Sequence, residues 1–309
     1  PGNHGTKTGG NVMRKIPAVV GMICCTLALA GYIQAQEMKV PDGCSPAPDA
    51  KAGDMGYADR VVHEKTGIEI VLIPAGSFDM GVGGYRLIGK VTIAKPFYIG
   101  KTTVTNQQYK KFLSSGGYDG AKDCDPGYDL HIRHLSGKSI MPDGDDYPIV
   151  FVSWKNAKAF CGWAGGLDLP TEAEWEYACR AGTTTLFSFG DDPKDVDKYA
   201  WTQFNSKAST QPVGQLKPNN WGLYDMHGNV WEWCLDDDRT RDKAAPADGS
   251  AYIADKSTYM EGTMTKILRG GSWSNTLPYA VSSVAHLNVA SVIAANDIGF
   301  RVVLRLNSK

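Results

Sequence analysis

Side chains able to move protons, attack carbonyls or hold metals are thinly spread along this chain. His63, His131, His134, His227 and His286 are scattered. None forms the His-x-x-x-His spacing that would place two imidazoles on one helical face. His131 and His134 stand three apart in a Gly- and Asp-rich stretch, where solvated side chains are expected. Asp236-Asp237-Asp238 reads as a solvated turn. No Gly-x-Ser-x-Gly elbow and no phosphate-binding loop is present. Past the N-terminal region the cysteines are Cys44, Cys124, Cys161, Cys179 and Cys234. An odd number leaves at least one thiol unpaired or bridged to another chain. Cys161 and Cys179 are expected to be free and buried, and a Cys44–Cys124 bridge stays open.

The strongest pattern concerns recognition rather than catalysis. Residues 274–298 contain no Lys, Glu, Gln, Met, Trp or Arg. Small, β-branched and short polar residues fill the stretch, with Tyr279 and His286 as its only rings. Charged residues are common in ordinary loops, so this depletion has a chance on the order of a per cent. Lys, Glu, Gln, Met and Trp are also the types that cannot arise when both adenines of an AAC-type codon are randomised. The segment therefore reads as one written by adenine-directed mutagenesis, which points to a diversified binding surface. The candidate contact residues are Ser274, Asn275, Thr276, Leu277, Tyr279, His286, Leu287, Asn288, Val292, Ile293, Asn296 and Asp297. Tyr279 and His286 are the expected rigid anchors, because rings offer large contact area at low entropic cost. Val281, Val284 and Ala285 are expected to face the core.

The elements positioning these residues can be read from period and punctuation. Residues 68–74 are a strand ending at the turn Ala75-Gly76-Ser77, and 91–99 predict a second strand. Thr105 caps a helix running to Leu113, with Tyr109, Phe112 and Leu113 on one face. Residues 148–154 predict a short buried strand, after which Ser153 caps a helix to Trp163. Thr171-Glu172-Ala173-Glu174 is a capping box for the next helix. Residues 114–147 read as a long loop. Helices and strands are few and short, and loops are long.

The chain has 309 residues, 42% hydrophobic and 21% charged, with net charge -1. It can bury a sizeable core, and it gives no electrostatic reason to expect nucleic acid or an anionic membrane. Met13-Arg14-Lys15 followed by the apolar run 16–30 reads as an export signal with cleavage at Ala35, residues 1–12 lying upstream of it. Export to the cell surface or outer membrane is expected, and Cys24 and Cys25 offer acceptors for a lipid anchor. Residues 36–62 read as an N-terminal extension or linker, and 63–309 as one domain.

An ordered set of markers now gives a resemblance. They are Gly76-Ser77-Phe78-Asp79-Met80-Gly81, Val104-Thr105-Asn106, Val152-Ser153-Trp154, and Leu169-Pro170-Thr171-Glu172-Ala173-Glu174-Trp175. They continue with Trp221-Gly222-Leu223-Tyr224-Asp225-Met226, Gly228-Asn229-Val230-Trp231-Glu232-Trp233, Arg269-Gly270-Gly271-Ser272-Trp273 and Gly299-Phe300-Arg301. The set, over about residues 65–305, resembles the formylglycine-generating enzyme/sulfatase-modifying factor family. The resemblance implies an α+β, C-type lectin fold of that family's type. Within it, the tract between Arg269-Gly270-Gly271-Ser272-Trp273 and Gly299-Phe300-Arg301 resembles the variable proteins of diversity-generating retroelements, such as those of Treponema.

The resemblance also implies site residues. The family's paired redox cysteines match Asn275 and Ala280, which cannot supply thiolate chemistry. No cysteine follows Cys234. Formylglycine generation is therefore not expected, and no redox cofactor is implied. Family disulfide partners of Cys161 and Cys179 would fall near Val302 and in the 280s, where no cysteine stands. A structural Ca2+ is implied at the carboxylates of Asp225 and Glu232 and the carbonyls of Gly228 and Val230. A second calcium site, near Trp201, lacks side-chain oxygen. Trp273 and Phe300 are expected as core anchors, with Arg301 paired to a buried carboxylate such as Glu174 or Glu176. The function implied is a surface receptor or adhesin for an unknown protein or glycan. Glu-Pro-Asn and Gln-Pro-Asp, the lectin sugar motifs, are absent. The alternatives are an enzyme of the same fold with other chemistry, or an inert structural envelope protein.

Overall fold

The computed structural model describes Gly2 and residues 38–81, 89–115, 144–238, 245–254, 265–280, 282 and 284–306, without the side chains of 285–288. The signal region, Cys24, Cys25, Cys124, His131, His134 and Val281 lie outside the described residues. Contacts divide the chain into Pro1–Glu37 and Met38–Lys309, and every element below belongs to the second unit.

The main sheet is built from β1 (Cys44–Pro46), β2 (Arg60–His63), β3 (Ile68–Ile73), β6 (Phe97–Gly100), β12 (Val303–Arg305) and β7 (Leu167–Asp168), in that spatial order. Period-two alternation explains its place. Ile68, Ile70 and Leu72 of β3, Tyr98 of β6 and Leu304 of β12 enter one core. Val71, Ile73, Phe97, Ile99 and Val303 point the other way into a second core. Both faces of the sheet are thus covered. Helices α1 (Asn106–Ser114) and α2 (Trp154–Ala164) supply Tyr109, Phe112, Ala157 and Phe160 to the first core. Helix α3 (Glu172–Arg180) supplies Ala173, Trp175 and Ala178 to the second. All three helices start at full capping boxes, at Thr105, Ser153 and Thr171. This is as the residue order predicts.

A smaller sheet has the order β10 (Ala285–Ala290), β9 (Thr265–Arg269), β8 (Trp231–Asp237), β11 (Ile298–Gly299). Glu232 of β8 pairs with Arg269 of β9 on one side and with Gly299 of β11 on the other. A two-stranded ribbon joins β4 (Gly76–Met80) to β5 (Gly89–Ile93).

Three expectations are corrected. The stretch 36–62 is no linker from Met38 onward: it contributes β1 and β2, and Ala58 and Val61 are fully buried. The strand expected over 91–99 is split into β5 and β6, with Pro96 between them. Proline cannot donate to a sheet ladder. Residues 148–154 form no ladder: Pro148 makes one bridge to Thr105, and Phe151 has φ +57. That turn sends the Phe151 N–H to the Ala295 carbonyl at 2.9 Å.

Candidate ligand-binding surface

The segment between β9 and β11 is framed by two buried arginines. Arg269 donates to Glu172 at 2.7 Å and Glu176 at 2.9 Å, and its Nη1 reaches the Ser282 carbonyl at 3.0 Å. Arg301 grips Glu232 through Nε at 2.6 Å and Nη2 at 2.8 Å, and also donates to the carbonyls of Gly100 and Tyr224. Trp175 Nε1 donates to the same Glu232 at 2.7 Å. Arg301 thus has the buried carboxylate partner expected, but it is neither Glu174 nor Glu176. Instead Glu174 binds Arg305, and Glu176 serves Arg269, Arg180 and the Gly81 N–H.

Gly270 and Gly271 open the segment with φ +98 and +75. A Cβ at Gly270 would stand 3.1 Å from the Trp175 ring, and one at Gly271 would stand 2.9 Å from the Tyr279 carbonyl. Both the backbone angle and the space therefore demand glycine.

Beyond them the segment is held mostly by its main chain. The Trp273 carbonyl accepts from Ser206 Oγ, the Asn275 carbonyl from the Gln203 N–H and the Ala280 carbonyl from His227 Nδ1. The Ser291 carbonyl accepts from the Trp154 N–H, and the Asp297 carbonyl from the Trp231 N–H. His227 Nδ1 faces a carbonyl at 2.7 Å, so it carries the proton. Nε2 then accepts from the Ser188 N–H at 3.1 Å and Ser188 Oγ at 2.8 Å. Burial pulls the pKa of this imidazole down to about 4, keeping it neutral.

Side chains of the segment divide into two groups. Ser274, Tyr279 and Ile293 are exposed, and Thr276, Leu277, Val292 and Asn296 are half-buried. Tyr279 leans edge-on to Trp231, with centroids 6.4 Å apart. Asn275 and Asp297 instead tie the segment to itself. Asn275 Oδ1 accepts the Ser272 N–H at 2.9 Å and lies 2.8 Å from Ser272 Oγ. Asp297 Oδ2 lies 2.9 Å from Ser272 Oγ and 3.1 Å from Ser274 Oγ. The structure thus brings the two ends of the candidate list together. His286, Leu287 and Asn288 lie on the edge strand β10, with side chains outside the described residues. Val284 and Phe300 are buried as expected, whereas Trp273 is only half-buried and donates Nε1 to the Asn296 carbonyl. Cavities of about 680 and 380 Å³ lie elsewhere, beside Lys39 and Arg305 and beside Glu69 and Lys101.

One exposed ring escaped the sequence reading. Phe204 is 67% exposed in the loop that hydrogen-bonds Asn275 and Trp273. A lone Phe among Thr202, Gln203, Asn205 and Ser206 was the only signal for it.

The reactive groups are placed for structure. Cys44, Cys161, Cys179 and Cys234 are free thiols. Burial pushes Cys179 up to about 12 and Cys161 and Cys234 upward too, which suppresses the thiolate. Asn275 and Ala280 cap a turn and pack, respectively. Asp236-Asp237-Asp238, expected to be solvated, is buried. Asp236 accepts the N–H groups of Glu172 and Tyr252, and Asp237 pairs with the buried Lys266. The strand β8 carries them inward, where backbone donors need acceptors.

Three of the four positions implied for calcium are already bonded within the protein. Asp225 Oδ2 accepts the Gly214 N–H at 2.8 Å, and its Oδ1 is buried without a partner. Both oxygens of Glu232 are taken by Arg301 and Trp175. The Gly228 carbonyl accepts the Val230 N–H. A calcium ion wants six to eight oxygens, and this set leaves one unbonded carboxylate oxygen beside a buried guanidinium. The residues do not fit the ion as read. Among the described residues no group of three or more His, Cys, Asp or Glu side chains is arranged for a metal.

Two covered sheet faces and a long excursion closing on β8, with three short capped helices among the described residues, define the C-type lectin-like fold of the formylglycine-generating-enzyme type. The chain belongs to the family of the sulfatase-modifying factor enzyme 1-like domain, which matches residues 58–306. It is 30% identical to the formylglycine-generating enzyme of Mycobacterium tuberculosis, over 76% of this chain and 97% of that protein. Among solved structures it is similar to PvdO from Pseudomonas aeruginosa, with TM-score 0.65 and 31% identity over 78% of this chain and 96% of that one. It shares its fold with variable protein 1 of Treponema denticola, with TM-score 0.60 and 23% identity over 84% of this chain and 100% of that one.

Proposed function

We propose that this chain is an exported ligand-binding protein, a receptor or adhesin, whose surface at 274–297 is diversified by a retroelement. One observation carries the reading. The segment that lacks every residue type adenine randomisation cannot write is also held by its backbone carbonyls. Side chains there other than Asn275 and Asp297 can change while the loop keeps its path, which is what a diversified surface requires. The absence of cysteine after Cys234 supports a loss of the formylglycine chemistry of the relatives. The ligand is a protein or glycan, and display at the cell surface, with or without a lipid anchor, completes the proposal.

The test is to sequence the locus from a population of cells. A near-copy of the 3′ end, with adenines where residues 274–297 vary, beside a reverse transcriptase gene, is the expected result. An invariant 3′ end with no template copy would sink the reading. The similarity to formylglycine-generating enzymes favours a second reading, an enzyme of this fold with other chemistry. Oxidase-like activity of the purified protein on a substrate other than a sulfatase cysteine would support that alternative.

A further inference from the structure

A cleft of about 380 Å³ is lined by Glu69, Lys101, Gln108 and Tyr224, and by no residue of 274–297. Its volume lies within the range of small-molecule sites. Gly67 and Gly214 also line it, at φ +75 and +71. A Cβ at Gly214 would stand 3.7 Å from Thr102 Cγ2 and 3.8 Å from the Tyr224 ring, so any side chain there would narrow the cleft. The lining groups are fixed before any ligand arrives. Glu69 accepts Arg60 Nη1 on Oε1 at 3.0 Å and Lys101 Nζ on Oε2 at 2.8 Å. The Tyr224 N–H reaches the Lys101 carbonyl at 2.9 Å, and the Tyr224 carbonyl accepts from the buried Arg301 at 2.9 Å. Groups held in this way lose little freedom on binding.

The chemistry of the lining selects the ligand. Lys101 has three ammonium donors and spends one on Glu69, whose carboxylate keeps free lone pairs. A donor and an acceptor thus stand 2.8 Å apart, which matches the separation of the two oxygens of a vicinal diol. One hydroxyl of such a pair accepts from Lys101 while its neighbour donates to Glu69. Gln108 Oε1 accepts the Thr105 N–H at 3.0 Å, and its amide donors have no partner among the described residues. Lys101 Nζ lies 5.9 Å from the Tyr224 ring centre, at the outer limit of a cation–π contact. Tyr224 therefore offers an apolar ring body beside polar groups, as a sugar requires. An anion would meet the Glu69 carboxylate, and a cation would meet Lys101 and Arg60. Lys111, beside Gly67, is turned onto the Thr66 carbonyl at 2.9 Å. A neutral polyol brings both donors and acceptors and meets no unmatched charge.

We propose that this cleft binds a neutral saccharide, with Glu69 and Lys101 holding two adjacent hydroxyls and Tyr224 packing against the sugar ring. The site is separate from 274–297 and stands whether or not that segment is a diversified surface. Its few hydrogen bonds and single ring make it a weak site, with a Kd for one sugar unit on the order of 1 mM.

The test titrates the full chain with methyl α-mannoside, methyl β-galactoside, methyl β-N-acetylglucosaminide and sodium glucuronate, read by ligand-observed NMR. Lys101→Met removes the donor and leaves Glu69 its bond to Arg60, and Tyr224→Leu removes the ring but keeps its main-chain bonds. Lys198→Met, at an exposed lysine outside the cleft, is the control. At least one methyl glycoside is expected to bind. Lys101→Met and Tyr224→Leu should each weaken it about tenfold, the worth of one hydrogen bond to a charged group. Thermal midpoints should not move, and Lys198→Met should bind as the parent does. Binding of glucuronate alone, lost with Lys101→Met and kept with Tyr224→Leu, would make the cleft an anion site and overturn the proposal. Glycoside binding that both variants leave intact would place the sugar elsewhere, and no binding by any glycoside at several times the expected Kd would sink the site altogether.

Discussion

Arg301 donates from Nε and Nη2 to the two oxygens of Glu232 at 2.6 and 2.8 Å, with both side chains fully buried. The pair joins a residue two positions past β11 to the strand against which both ends of the segment pair. Removing one partner leaves the other charge in the core. Glu232→Gln is expected to cost about 3–5 kcal/mol, measured as a fall in the urea midpoint at constant slope. A cost below about 1 kcal/mol would mean that the pair is not what fixes the segment's exit.

Within the segment, two kinds of position should respond differently. Asn275→Ala and Asp297→Ala each remove an acceptor for Ser272 and are expected to cost about 1–3 kcal/mol. Tyr279→Ser and Ile293→Ser change exposed side chains and should stay within about 0.5 kcal/mol. Thermal melts of the four variants check this, and equal losses across all four would contradict the division into ties and contacts.

His227 gives the segment a pH dependence. Its pKa is lowered by burial to about 4, whereas in the unfolded chain it is about 6.5. The unfolded state therefore binds the extra proton first, and stability present above pH ~6.5 is lost as pH falls towards 4, by up to about 1.4 kcal/mol per pH unit. Urea midpoints between pH 7.5 and 5 should fall accordingly. His227→Gln should lower the stability at pH 7.5 and flatten that slope; an unchanged slope would show that other groups set it.

Calcium should be without effect. An ion bound at 100 times its Kd stabilises by about 2.7 kcal/mol, several degrees of Tm for a domain of this size. Melts in EGTA and in excess calcium are expected to agree within about 1 °C. A clear rise with calcium would restore Asp225 as a ligand, since its Oδ1 is the buried oxygen left without a partner.

Much of the fold was readable because local signals agreed with the global outcome. Thr105, Ser153 and Thr171 capped the helices they announced, and the alternation of Ile68 to Ile73 marked a strand covered on both faces. Errors arose where distant contacts decide. Residues 148–154 have strand composition, but the Phe151 N–H finds its acceptor in Ala295, far along the chain. The burial of Asp236 and Asp237 depends on donors from α3, β9 and residues 252–254. Composition marked 274–298 as unusual, but could not separate Asn275 and Asp297, which hold the loop, from Tyr279 and Ile293, which face solvent. Nor could it find Phe204, which joins the surface only through folding.

Glu232 pairs with Arg269 on one edge and with Gly299 on the other, so the segment departs and returns across a single strand. Its two ends are roughly 10 Å apart, two strand spacings. The 29 residues between positions 269 and 299 thus form a cartridge whose sockets belong to the scaffold. A foreign insert of different length would meet the same docking geometry, at a closure cost that grows only slowly with added residues. Whole recognition loops could then be exchanged between homologues as single units, provided the positions of Ala280, Val284 and Val289 still fill the first core.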